Sequence, residues 1–306
     1  MTISRVVFDN NAWTDIVVRD DTGQKLARLQ QSVAKRQVRV LVTTAVIEET
    51  AAYSTTCPVE VRRRLAYMRA LGHVLRPPQE LIDMEIHGQS TLGNMLLAPE
   101  DEAHLYNTVL PVVDAGGVFV SPENGESAQA ASIVGKAKLE YRGAVRHVES
   151  GADKELLELW ERDLAGQSPS SNASVNELGL PADASPEQML QAWGRRMSQE
   201  GHLNLRTWVT KYLSDQGAPA SVVEAPLEAH PFSSTHVAYL YAHAVRHFMS
   251  GKLVEMGDFY DRQYCVLSAA ADVLVTSDKG LRSTYDLMPF RPYVILTPQE
   301  FMATLQ

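Results

Sequence analysis

Strand-like segments stand only near the two ends of this chain, and neither end carries enough of them to form a sheet alone. Near the start, Val6-Val7-Phe8 is a short apolar run, and Val38, Val40 and Val42 alternate with Arg39 and Leu41. Near the end, Val273-Leu274-Val275-Thr276 is too apolar to face water on one side, and Tyr293-Val294-Ile295-Leu296 follows it. Helical patterns lie between: Leu26, Leu29 and Val33, then Ala45–Tyr53 with Thr43 or Thr44 as its cap, and later Phe259–Ala271. This alternation predicts a parallel sheet covered by helices, to which both ends of the chain contribute. Thr297-Pro298-Gln299-Glu300 starts a last helix, with Thr297 as cap and Pro298 at the first helical position.

The middle of the chain reads as mostly helical, through Gln129–Val148, Lys154–Leu164, Pro186–Met197, Leu203–Leu213 and Thr235–Phe248. A linker rich in Gly, Ser, Pro and Asn covers Gly166–Ser185, and Ser277-Asp278-Lys279-Gly280 reads as a turn. The expected organisation is a discontinuous core of residues 1–80 plus 253–306, interrupted by a mostly helical insertion at 81–252.

Charge limits the function. The formal net charge is −9, from 28 basic and 37 acidic residues, which argues against holding nucleic acid by bulk positive charge. A local basic patch, or a metal ion between acids and phosphate, is compatible with it. Cys57 and Cys265 are too few for a disulfide framework. The start lacks the pattern of a signal peptide and no apolar stretch is long enough to span a bilayer, so the expected location is cytoplasmic.

The acids fall where a parallel sheet exposes its ligand face, beyond the carboxyl ends of the strands. Asp9 ends the first strand, Glu48 and Glu49 open the helix after the second, Asp258 and Asp261 open the helix before the third, and Asp278 follows that strand. Each one alone reads as a helix cap or a first-turn acid. As a set they would repel one another and raise each other's pKa, unless a hard divalent cation stood among them. Mg²⁺ or Mn²⁺ takes such oxygen ligands together with waters and phosphate.

These segments resemble the PIN domain, a metal-dependent nuclease family. Val6-Val7-Phe8-Asp9-Asn10-Asn11-Ala12-Trp13 is similar to its first motif, and Val46-Ile47-Glu48-Glu49 to its second, with Glu49 the better match and Glu48 the alternate. Asp261, the small-residue run Ala269-Ala270-Ala271 and Val275-Thr276-Ser277-Asp278 resemble the third and fourth; Asp258 is the alternate to Asp261. The resemblance covers about Thr2–Tyr53 and Gly257–Leu305 and assigns no role to the long middle. It implies a three-layer α/β/α fold and a Mg²⁺- or Mn²⁺-dependent endoribonuclease acting on RNA, as a toxin, a defence effector or a processing enzyme. On that reading Asp9, Glu49, Asp261 and Asp278 hold the ion or its waters, with Asn11 and Thr276 supporting them by hydrogen bonds. The competing readings are a structure-specific DNA nuclease and a non-catalytic scaffold whose helical middle binds a protein such as an antitoxin-like inhibitor. Pairing into a homo-oligomer would lengthen a groove.

Weaker signals lie elsewhere. Arg62-Arg63-Arg64 follows a helix and is either a solvated face or a set of RNA backbone contacts. His243 and His247 stand four apart on one helix, without the intervening glutamate of a zinc motif. With Arg246 they are candidates for phosphate contact, against the simpler reading of a partly buried helix face. Arg206 with Trp208 pairs a cation and an aromatic as single-strand binders do, although a buried Trp beside an exposed Arg would look the same.

Overall fold

A computed structural model describes residues 4–53, 57–116, 179, 181, 186–250 and 256–305. The expected windows Gln129–Val148 and Lys154–Leu164 lie outside the described residues, as does most of the expected linker.

The chain builds an α/β fold on a five-stranded sheet of order β3-β2-β1-β4-β5, in which every pairing is parallel. The strands are β1 (Ser4–Phe8), β2 (Val38–Val42), β3 (Gly72–Val74), β4 (Val273–Val275) and β5 (Val294–Leu296). Many helices accompany it, an arrangement compatible with three α/β/α layers. The two chain ends meet directly: Val6, Val7 and Phe8 pair with Val273, Leu274 and Val275. Val6, Val7, Phe8, Leu41, Leu274 and Val275 have no exposed surface, as expected of strands covered on both faces.

Local chemistry sets the helix boundaries. Asp9 caps α1 (Asn10–Val17), and α2 (Gln24–Ala34) follows. Thr43, not Thr44, caps α3 (Thr44–Ala52), accepting from Val46 N at 3.1 Å. The arginine run lies inside α4 (Pro58–Leu71) rather than after a helix. Three further helices, α5 (Pro78–Ile86), α6 (Leu92–Met95) and α7 (Pro99–Asp114), follow the edge strand β3 in the chain. The windows expected at 186–197 and 203–213 form one continuous helix, α8 (Pro186–Asp215), followed by α9 (Ala220–Val223) and α10 (Pro231–Ser250). The residues Ser277–Gly280, expected as a turn, are instead a helix entry. Asp278 accepts from Leu281 N at 2.9 Å and caps α12 (Lys279–Leu287), which follows α11 (Met256–Ser268). The last helix, α13 (Pro298–Thr304), opens with the full reciprocal capping box of Thr297 and Glu300.

Helix α10 belongs to the sequence's middle, yet its Val237, Tyr239, Tyr241 and Val245 share one buried cluster with the strands. Its first turn is pinned by Glu85 of α5, whose carboxylate accepts from Phe232 N (2.7 Å), Ser233 N (2.8 Å) and Ser233 Oγ (2.7 Å). Burial pushes the Glu85 carboxyl up to about 7, while these donors pull the other way. Among the described residues no helix is long and apolar enough to cross a membrane.

Candidate active site

The strand order reverses between β1 and β4: the chain moves outward from β1 to β2 and β3 on one side, and from β4 to β5 on the other. In open parallel sheets a crevice forms beyond the carboxyl ends of the strands at such a point. Asp9 leaves β1 here, and Thr276 and Asp278 leave β4. The Asp9 backbone N–H donates to Val275 O at 3.1 Å, which keeps the two strand ends side by side.

Asp9 is 3% exposed. One carboxylate oxygen accepts from Ala12 N at 2.6 Å as the cap of α1, and the other accepts from the Thr276 hydroxyl. Thr276 Oγ1 in turn accepts from Asp278 N at 2.9 Å. A single buried hydroxyl therefore links two carboxylate-bearing segments 267 residues apart in sequence. Burial raises the Asp9 carboxyl to about 7; the Thr276 and Ala12 donors lower it, and the charges of Glu49 and Asp278 raise it again. These influences place the three acids in one electrostatic neighbourhood, on segments that are far apart in sequence.

Glu49 is partly exposed on α3, whereas its alternate, Glu48, is buried at 5% exposure. Glu49 Oε2 accepts from the Tyr264 hydroxyl of α11 at 2.5 Å. The Asn10 side chain bonds it as well. The direction of that bond follows from the amide's other contacts. Asn10 Oδ1 accepts from Arg64 at 2.5 Å and from Thr50 Oγ1 at 2.9 Å, so the amide nitrogen is the end left to donate to Glu49. Burial raises the Glu49 carboxyl above its ordinary value, against the pull of Tyr264, Asn10 and the nearby Arg64 charge, and with a further push from Asp278. Burial likewise drives the Tyr264 hydroxyl well above the ordinary tyrosine range, reinforced by Glu49 and Asp9.

Several of the sequence expectations change here. Arg64 is not a surface RNA contact: it is 4% exposed and donates to Asn10 and to Thr14 Oγ1 at 2.9 Å. Its position was encoded, because it lies on the buried stripe Val61, Arg64, Leu65 and Met68 of α4, where a cation needs partners. Arg62 and Arg63 are exposed, and Arg62 pairs with Asp114 at 3.4 Å. Asn11 is exposed, and the buried amide serving the site is that of its neighbour Asn10. Arg246 donates to Gly280 O (3.1 Å) and Thr284 Oγ1 (2.8 Å), so it ties α10 to α12 beside Asp278 rather than facing outward. His243 is buried and stacks on Tyr239 with ring centroids 5.9 Å apart. The side chains of His247 and Asp258 lie outside those described. Asp261 is partly exposed, one turn before Tyr264 on α11; its described influence falls on Cys265, whose thiol is pushed up chiefly by burial. Arg206 spends its donors on the carbonyls of Val223, Glu224 and Ala225 at the end of α9.

Asn10 and Tyr264 were missed from sequence, and Arg64 was expected in a different role. Tyr264 carries no local signal beyond its place one turn after Asp261, and only the packing of α11 on α3 makes it a partner of Glu49.

Among the described residues, no group of three or more His, Cys, Asp or Glu side chains stands close enough to form a ready cation cage. The donor chemistry nonetheless suits Mg²⁺ or Mn²⁺, since Mg²⁺ keeps several waters and needs only one or two carboxylates beside substrate phosphate. The buried Asp9, raised by its own burial and by two neighbouring acids, is the group that such a charge would relieve. Comparison of the chain with protein-family models, curated proteins and solved structures finds no match in any of the three.

Proposed function

We propose that this protein is a metal-dependent nuclease of PIN-like architecture, hydrolysing phosphodiester bonds of RNA. The observation that supports the reading is that Asp9 and Asp278 leave adjacent strands at the switch point of the sheet, joined through Thr276, and that burial of Asp9, with smaller contributions from the charges of Glu49 and Asp278, raises its carboxyl to about 7. A buried carboxylate with a strongly raised pKa does not stabilise a fold, and such groups mark candidate functional sites.

Asp9, Glu49 and Asp278, with Asp261 one turn from Tyr264, would hold Mg²⁺ or Mn²⁺ directly or through its waters. A divalent ion in such a site supplies charge to the scissile phosphate and lowers the pKa of attacking water. The chain's own groups do the positioning. Thr276 fixes the relative placement of Asp9 and the Asp278 backbone, and Tyr264 and Asn10 hold Glu49 from two sides. Arg64 sets the Asn10 amide and places a positive charge near Glu49. All four supports are hydrogen-bonded into helices or strands, so the carboxylates are oriented before substrate arrives.

The test is cleavage of labelled single-stranded RNA, single-stranded DNA and flap DNA by the purified chain with Mn²⁺. RNA cleavage that is lost in Asp9→Asn and Asp278→Asn, with circular dichroism unchanged, is the expected result. Cleavage persisting in both variants removes the proposal, and cleavage of flap DNA alone moves it to the DNA-nuclease reading.

A further inference from the structure

We infer that Arg246, carried by the middle of the chain, is a positioning residue for the Asp278 carboxylate, and that Gly280 lacks a side chain so that its guanidinium can approach. The inference rests on the nuclease reading above for the reaction that Asp278 serves.

The glycine is the starting point. Gly280 stands in the first turn of α12, where almost any other residue makes the better helix former. Its φ is not positive, so the backbone does not require a glycine. Space does. A Cβ there would lie 3.1 Å from Arg246 Nη2, 3.1 Å from Asp278 Oδ1 and 3.5 Å from Arg246 Nη1. Guanidinium and carboxylate thus flank one point and stand within about 6 Å of each other, a range in which opposite charges stabilise one another.

Both sides of this contact are fixed. Arg246 Nη1 donates to Gly280 O and to Thr284 Oγ1, and Thr284 Oγ1 donates to the same Gly280 O at 3.1 Å, so the guanidinium is tied to the first turns of α12. Asp278 Oδ1 accepts from Leu281 N at 2.9 Å, and the Asp278 N–H donates to Thr276 Oγ1. Among the described residues Oδ2 accepts from none, which leaves it to the proposed ion or its waters. Behind Arg246, Val245 has no exposed surface, and Glu85 clamps the other end of α10. A lysine would keep the charge, but its compact ammonium does not reproduce the fork that holds both acceptors and lays Nη2 beside Asp278. The middle of the chain therefore completes the carboxylate site and is more than a separate module attached to it.

The experiment compares the full chain with Arg246→Lys and Gly280→Ala. The readouts are Mn²⁺ affinity by calorimetry, exchange of the Leu281 amide by NMR, the thermal midpoint, and kcat and KM on single-stranded RNA. Arg246→Lys is expected to weaken Mn²⁺ binding and lower kcat, each about tenfold, with KM little changed and faster exchange at Leu281. Gly280→Ala keeps every donor and acceptor and gains helix propensity, so it should melt no lower than the parent yet show the same losses. Variants that keep the parent's Mn²⁺ affinity, kcat and Leu281 exchange, even if they melt lower, would reduce Arg246 to a structural tie and overturn the inference. A rise in KM alone would overturn it too, since that marks a substrate contact. If the parent cleaves no RNA but exchange at Leu281 still responds, the nuclease reading fails and the positioning role stands. Cleavage that neither variant alters gives the reverse.

Discussion

Replacing Asp9 by Asn should make the protein more stable while removing its proposed activity. Asp9 is 3% exposed, and its carboxyl rises from 3.8 to about 7, chiefly through burial. A carboxyl raised by folding contributes no penalty below its unfolded value, and the folded state loses stability as pH rises from there through the folded value. At about 1.4 kcal/mol per pKa unit, the full penalty above pH 7 is about 4 kcal/mol, and relaxation with water entry brings the expected gain to about 2–4 kcal/mol. Asn keeps the cap on α1, because it serves as well as Asp at that position. Its amide can donate to Thr276 Oγ1, whose remaining lone pair is open after it accepts from Asp278 N. The assay is urea unfolding of both proteins at about pH 4, 6 and 8. The variant's advantage should grow steadily from the acid to the alkaline end. Adding Mn²⁺ at the highest pH should raise the midpoint of the parent and leave Asp9→Asn nearly unmoved. A variant less stable than the parent at the alkaline end, or a difference independent of pH, would refute the reasoning.

Further outcomes follow from single contacts. Arg64→Met leaves Asn10 Oδ1 without its 2.5 Å donor, with only Thr50 Oγ1 still holding the amide, so it should cost about 1–3 kcal/mol in thermal unfolding and lower cleavage as well; full activity would mean that Glu49 does not depend on this chain of bonds. Glu85→Ala strips the first turn of α10 of an acceptor for three donors and should cost about 2–4 kcal/mol, seen as early loss of amide-exchange protection in 232–246. Uniform protection across that helix would contradict the pinning role. Gly72→Ala puts a Cβ 2.3 Å from Val42 Cγ2 and 3.2 Å from Met68 O, and the overpacking should lower stability by about 1–3 kcal/mol. An unchanged melting temperature would show that β3 moves more freely than its packing against β2 implies.

Most of the skeleton was legible because it rests on local signals. The strand runs at 6–8, 38–42 and 273–275, a cap at Thr43 or Thr44 and the cap at Thr297 depend on residues a few positions apart. Strand β3 was illegible because three residues, one a glycine, give no periodicity; it forms because β2 offers a free edge. The turn expected at Ser277–Gly280 failed for a related reason. Asp-Lys-Gly serves turns and helix starts alike, and only the following amphipathic stretch, with Leu281, Thr284 and Tyr285 buried, selects the helix.

The sequence alone determined that the two ends must share one parallel sheet, and it placed Asp9, Glu49 and Asp278 at strand ends and helix starts. Hydrophobic pattern and capping are properties of short windows, so they can be read from residues in order. The roles of Arg64, Asn10, Tyr264 and Arg246 were decided only by tertiary structure. A cation, an amide or a hydroxyl has no fixed partner until helices from distant segments pack together, and burial then obliges each to find one.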